Sequence, residues 1–202
     1  MSGLRVIAGE FRSRHLKTPR GDEVRPTPDR LREALFNVLA PSINDAVFAD
    51  VYAGSGAVGI EALSRGARRA IFIERSRIAA EVIRENLAAL GIDDRAEVIV
   101  KKAAAALEDL RVDIAFIDPP YALEREYQLA LTSLSDGRIP LVVVQHASRF
   151  ELPDNSGELR RTRTLRQGDN TLSFYAPDSA PGRDHVATEH GPDGQIHQDH
   201  HD

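Results

Sequence analysis

From residue 46 onward the chain alternates short apolar runs with helical stretches, and no other feature restricts its fold as much. The runs are 47–52 (VFADVY), 70–74 (AIFIE), 96–100 (AEVIV), 112–117 (VDIAFI) and 140–145 (PLVVVQ). Several are apolar throughout, as strands are when helices cover both faces of a parallel sheet. Helices are expected near 57–65, closed by Gly66, near 77–90, capped by Ser76 and closed by Gly91, and near 103–110 and 124–134. Two last strands, 158–165 and 170–175, joined by Gln167-Gly168-Asp169, read as an antiparallel hairpin. The expected fold is α/β, a mostly parallel seven-stranded sheet with an antiparallel C-terminal edge.

Ahead of this pattern, Leu4–Ala8 and His15–Thr18 flank Gly9 and suggest a small β-hairpin extension. Thr27 is expected to cap the next helix, with Pro28 in its first position, where a missing N–H costs nothing. Leu31, Ala34, Leu35, Val38 and Leu39 then form one apolar helical face. The chain therefore divides into an N-terminal β extension (1–24), a main domain (25–176) and a tail (177–202).

Net charge is −5 over 202 residues, but it is unevenly spread. Residues 178–202 hold Arg183 against Asp178, Asp184, Glu189, Asp193, Asp199 and Asp202. Without them the body is neutral, and two basic clusters emerge: Arg5, Arg12, Arg14, Lys17 and Arg20, then Arg160, Arg161, Arg163 and Arg166. The tail carries five of the seven histidines and almost nothing apolar, and is expected to be disordered; metal capture by His197, His200 and His201 is the alternative. There is no cysteine, which excludes disulfides, thiolate metal sites and a cysteine nucleophile, a pyrimidine C5 methyltransferase among them. No apolar run is long enough to cross a bilayer, and the N-terminus lacks the apolar region of a signal peptide. A cytoplasmic protein with no membrane partner is expected.

Gly54-Ser55-Gly56-Ala57-Val58-Gly59 matches G-x-G-x-x-G between a strand and a helix, and Glu74 ends the next strand, where it can accept from ribose hydroxyls. A merely tight turn is the competing reading. The strand ends with Asp50, and a carboxylate here would oppose a dinucleotide's pyrophosphate. It would attract S-adenosylmethionine, which has no phosphate and carries a sulfonium and an ammonium. Asp50 could equally cap the loop.

Asp118-Pro119-Pro120-Tyr121 follows the fourth apolar strand. In an open α/β sheet this loop should face the glycine loop, two strands away. The prolines stiffen it, and both Asp118 and Pro119 precede a proline. The Asp118 carboxylate and the Pro119 carbonyl could accept the two N–H bonds of a conjugated amine, freeing its lone pair to attack a sulfonium methyl. Tyr121 offers a face for a flipped-out base. A proline turn with a capping Asp is the bland alternative.

These residues carry a family resemblance. Arg25-Pro-Thr-Pro-Asp-Arg-Leu-Arg-Glu-Ala-Leu-Phe-Asn-Val-Leu39, Asp50-Val-Tyr-Ala-Gly-Ser-Gly56, Glu61-Ala-Leu-Ser-Arg-Gly-Ala67, Asp118-Pro-Pro-Tyr121 and Thr171-Leu-Ser-Phe-Tyr175 closely resemble the bacterial 16S ribosomal RNA guanine-N2 methyltransferase family D, in register over residues 3–176. The resemblance implies a Rossmann-like class I methyltransferase fold, S-adenosylmethionine as cofactor, and a guanine N2 amine of 16S rRNA as acceptor. The enzyme would act as a monomer on a small-subunit assembly particle. It further implies that Asp50, Tyr52, Ala53, Gly54, Ser55, Gly56, Glu74 and Arg75 hold the cofactor and that Asp118, Pro119, Pro120 and Tyr121 hold the guanine. Arg5, Arg12, Arg14, Lys17 and Arg25 would grip RNA phosphates. No metal is implied. The chain departs from the family pattern at Lys101-Lys102-Ala103-Ala104, which replaces a residue that accepts from adenine, at Tyr52 for Phe, and at Gln145 for an acid. Rival readings are adenine-N6 methylation of DNA or RNA, methylation of a glutamine side chain, and a catalytically silent RNA-binding module.

Overall fold

The computed structural model describes residues 3–19, 27–120 and 124–178. Arg20, Arg25, Tyr121 and the tail from residue 179 lie outside them, with the expectations placed on them. In chain order the elements are α1 (Asp29–Leu39), β1 (Val47–Val51), α2 (Ala57–Ser64), β2 (Arg69–Glu74), α3 (Arg77–Leu90), β3 (Ala96–Val100) and α4 (Ala103–Leu107). They continue with β4 (Ile114–Ile117), α5 (Glu124–Ser133), β5 (Leu141–Ala147), β6 (Asn155–Ser156), β7 (Leu159–Gln167) and β8 (Asn170–Pro177). Among the described residues no helix is long and apolar enough to cross a membrane.

All strands join one sheet in the order β3-β2-β1-β4-β5-β8-β7-β6, parallel from β3 to β5 and antiparallel beyond. The expected seven strands become eight because Asn155–Ser156 adds two residues beside Leu159 and Arg160. The chain builds outward from β1 to β3, then crosses back so that β4 pairs directly with β1, Val51 opposite Ile117. The glycine loop and the Asp118 loop therefore follow neighbouring strands, not strands two apart, at the point where the strand order reverses.

Side chains alternate across the sheet. Phe48, Phe116 and Val143 meet Leu31, Leu35, Phe36 and Leu39 of α1, while Ala49, Val51, Ile117 and Val144 meet Leu107, Tyr127, Ala130 and Leu131 of α4 and α5. Phe72 joins the first of these faces beside α2 and α3, packing on Ile60 and Ile83. In β7 a bulge between Arg161 and Arg163 shifts the register, which returns Leu165 to the position opposite Leu172.

Two expectations near the N-terminus change. The extension is hairpin-like, with Val6 N–H donating to Arg14 O (3.0 Å) and Leu16 N–H to Leu4 O (2.9 Å), but it holds one isolated bridge, Arg5–His15, and no regular strand. Most of its bonds are spent on α2. Ile7 and Ala8 N–H donate to the buried Glu61 carboxylate (2.7 and 3.0 Å), and Phe11 N–H donates to Ser64 Oγ (3.0 Å). Gly9, at φ +84°, passes so close that a Cβ there would lie 1.9 Å from Ser64 O. The second change concerns Thr27. Pro28 occupies the N-cap of α1 and no side chain caps it, because the Thr27 hydroxyl is turned to another partner.

Candidate active site

The partner of Thr27 is Asp118: Oγ1 donates to Oδ2 at 3.4 Å. Asp118 follows β4, half-buried, with its own N–H donating to Val51 O at 3.3 Å. Pro119 behind it is buried and Pro120 is exposed. Burial pushes the Asp118 carboxyl up to about 8, the charge of Asp50 adds to this, and the Thr27 bond opposes it.

Asp50, at the end of β1, is only 2% exposed and accepts from Gly59 N–H (2.8 Å). Burial pushes it up to about 7 against that bond, and the Glu74 charge adds to the rise. The loop cap and an acid beside the glycine loop are thus one residue.

Between these acids the glycine loop is tightly built. Tyr52 turns at φ +68°, Tyr52 and Ala53 N–H both donate to Ile73 O, and Gly56 N–H donates to Ala53 O at 2.7 Å. Gly56, at φ +77°, sits in the left-handed region; Gly59 serves packing, since a Cβ there would fall 2.3 Å from Phe72 Cε1. Ala53 and Ser55 are buried. Glu74 binds across the loop, accepting from Gly54 N–H (2.9 Å) and Ser76 N–H (2.7 Å), and Arg75 is exposed next to it. The Tyr52 hydroxyl donates to Glu126 at 2.7 Å, and burial raises its pKa. Lys101 and Lys102 are both exposed at the end of β3, and Gln145 is buried in β5 opposite Leu172.

Arg5, Arg12, Arg14 and Lys17 are exposed. Arg14 also donates to Ala89 O (3.0 Å), and Lys17 pairs with Glu85 (2.9 Å). Three residues not expected here from the sequence belong to the site's construction: Thr27, Glu126 and Asn86. Buried Asn86 accepts from Lys17 N–H and donates to Lys17 O and Ser55 O, tying the N-terminal element to the glycine loop. The depression of about 430 Å³ between Val47, Arg68, Arg69, Asp94 and Arg95 opens at the opposite, amino ends of the strands.

Residues 4–176 match the family described as Conserved hypothetical protein 95. The chain belongs to this family. Similar proteins include "Putative rRNA methyltransferase YlbH" of Bacillus subtilis, 34% identical over 181 residues, which cover 85% of this chain and 98% of that protein. Ribosomal RNA small subunit methyltransferase D of Escherichia coli is 44% identical over 120 residues, 58% of this chain and 60% of that protein. Among solved structures, "Putative methyltransferase yhhF" from Escherichia coli superposes with a TM-score of 0.77 at 35% identity, covering 87% of this chain and 98% of that one. An RNA methyltransferase from Salinibacter ruber, solved with S-adenosyl-L-homocysteine, gives 0.59 at 16% identity over 79% and 98%, a likeness of fold alone. The fold is that of the Rossmann-like class I methyltransferases.

Proposed function

We propose that the protein transfers a methyl group from S-adenosylmethionine to the exocyclic N2 amine of a guanine in 16S rRNA of the small ribosomal subunit. One observation carries the reading. A proline-stiffened carboxylate, Asp118, lies directly beside a buried acid and a glycine loop at the strand-order switch. Family membership supports rRNA methylation, and the amine chemistry of Asp118 supports the position on the base.

The residues fit the cofactor. Asp50 and Asp118 are two carboxylates, close enough for one charge to raise the other's pKa, with a single hydrogen bond each to oppose that rise. Such a pair suits a cationic ligand. Asp50 and the turn from Tyr52 to Gly56 would hold the methionine part. Glu74 would take the ribose hydroxyls, exchanging its loop bonds or adding to them, with Arg75 alongside. S-adenosylmethionine, when bound, supplies an electrophilic methyl group on a sulfonium. Asp118, drawn toward its ionised form by any cation beside it, accepts one N–H of the guanine amine, and the Pro119 carbonyl accepts the other. The amine lone pair is thereby withdrawn from the ring and aimed. As the new N–C bond forms, positive charge grows on nitrogen; the Asp118 carboxylate stabilises it and takes the released proton. Tyr121 would stack on the base, and Arg5, Arg12, Arg14, Lys17 and Arg25 would hold the surrounding phosphates.

Mapping methylated nucleosides by mass in 16S rRNA from cells with and without the protein tests this. Loss of one N2-methylguanosine is the expected result; loss of an N6-methyladenosine would transfer the same chemistry to the rival amine. Assays on naked 16S rRNA and on small-subunit particles then identify the substrate form.

A further inference from the structure

We propose that the free edge of β7, built on Arg163 and Arg166 with Arg149 beside it, is a second contact surface for RNA phosphates, separate from the N-terminal element. The partner's identity rests on the rRNA-methyltransferase reading above.

The placement follows from strand directions. β5 and β7 are both antiparallel to β8, so β7 runs parallel to β5, and its carboxyl end lies at the same end of the sheet as the Asp118 loop. Asp118 is one residue beyond Ile117, which pairs with Val144; the next positions across are Gln145, Leu172 and Leu165. Three strand spacings of about 4.8 Å put the β7 backbone roughly 14 Å from Asp118, a reach of a few nucleotides. Arg163 and Arg166 lie on either side of Leu165, and by alternation they emerge on opposite faces of the strand. Arg149 is brought to the same corner because Ser148 N–H donates to Asp169 O (2.8 Å) at the hairpin tip.

Beyond the two-residue β6 this edge has no strand partner among the described residues: β6 pairs only with Leu159 and Arg160. An exposed edge needs charge of either sign to resist pairing with another strand. This one carries a single sign, with four arginines and no acid from Leu159 to Gln167. Two of the four are engaged, Arg160 with Asp178 (2.6 Å) and Arg161 with Asp154. Among the described residues Arg163, Arg166 and Arg149 have no acidic partner, and all three are exposed. Guanidinium groups held on a regular strand suit the bidentate grip of phosphate.

The test is binding of a full-length 16S rRNA transcript across a salt series, with affinity for S-adenosylhomocysteine reporting an intact fold. Arg163→Gln/Arg166→Gln is expected to weaken RNA binding roughly tenfold at about 0.1 M salt and to flatten the log–log salt slope by about 1.4, some 0.7 for each phosphate no longer held. The single variants should each give about half of that logarithmic loss, and Arg163→Lys/Arg166→Lys should keep the slope. An unchanged slope in the double Gln variant overturns the proposal. So does a result in which that variant binds normally while changing Asp184, Glu189, Asp193, Asp199 and Asp202 to their amides tightens wild-type binding, since the occupant would then be the chain's own acidic tail. Failure of the wild-type protein to move labelled methyl groups from S-adenosylmethionine to 16S rRNA would instead sink the functional reading, and the slope comparison would still decide whether this edge binds RNA.

Discussion

Two groups of acids are sunk against the same part of the fold and treated in opposite ways. Glu61 on α2 is fully buried and surrounded by donors: Ile7 N–H, Ala8 N–H and Arg65 Nε at 2.7 Å, with Arg32 Nε 3.8 Å away. Arg32, itself fully buried, also donates to Arg5 O (2.7 Å) and Asp29 (3.0 Å), so this charge cluster joins the N-terminal element, α1 and α2. Asp50 and Asp118 have no cation of their own at bonding distance among the described residues, and burial leaves both with raised pKa values. A buried charge that holds structure together is neutralised from within the chain. One that awaits a charged ligand is left short.

The contrast can be broken most directly at Asp118. Asp118→Ala should cut single-turnover methyl transfer on the order of 10³-fold while donor affinity, measured by calorimetry, stays within a few-fold. A surviving rate would place the amine's acceptor elsewhere. Glu61→Ala should show the reverse. It leaves Arg32 uncompensated and two backbone donors unpaired, and denaturant unfolding should lose about 3–5 kcal/mol.

Proton linkage separates the two sites further. Both folded-state values, about 7 for Asp50 and about 8 for Asp118, lie above the ordinary aspartate value of 3.8, so the folded chain binds more protons than the unfolded one between those limits. Stability of the unliganded protein should therefore fall as pH rises from about 4 through about 8, and Asp118→Asn should flatten the upper part of that fall. Affinity for S-adenosylmethionine should rise over about pH 7–8 as the acids ionise. It should rise less for S-adenosylhomocysteine, which lacks the sulfonium charge; equal pH dependence of the two would remove the cation argument.

The smallest effect sharpens the picture at Thr27. Thr27→Val removes the bond that opposes the rise at Asp118, so the acid limb of kcat/KM should move to higher pH with roughly a tenfold lower rate at neutral pH. Thr27→Ser should restore both. A rate loss with no movement of the limb would make Thr27 only a packing residue.

Much of this is legible in the residues because it is written locally. The buried strands are continuous apolar runs, Ser76 accepts from Ala79 N–H as an N-cap should, and Gly91 closes α3 at φ +70°. Thr27 departs from its expected role for a physical reason: Thr-Pro-Asp ahead of an apolar face looks like a local cap, whereas the acceptor it uses is 91 residues away. Nothing local marks Arg32 and Glu61, since charged side chains in helices are ordinarily solvated and only tertiary packing buries them. The adjacency of β1 and β4 is likewise a long-range property, decided by where the chain crosses back.

One extra residue in β7 has reach beyond its own turn. Were Thr162 missing, the pairing after Arg161 would advance by one, and every later side chain on that strand would swap sides: Leu165 would leave Leu172 for solvent, and Arg163 and Arg166 would trade places. A shortened relative would therefore have to receive its polynucleotide in mirror fashion or recode the whole strand, which makes this insertion a phase setting for the molecule's outer flank.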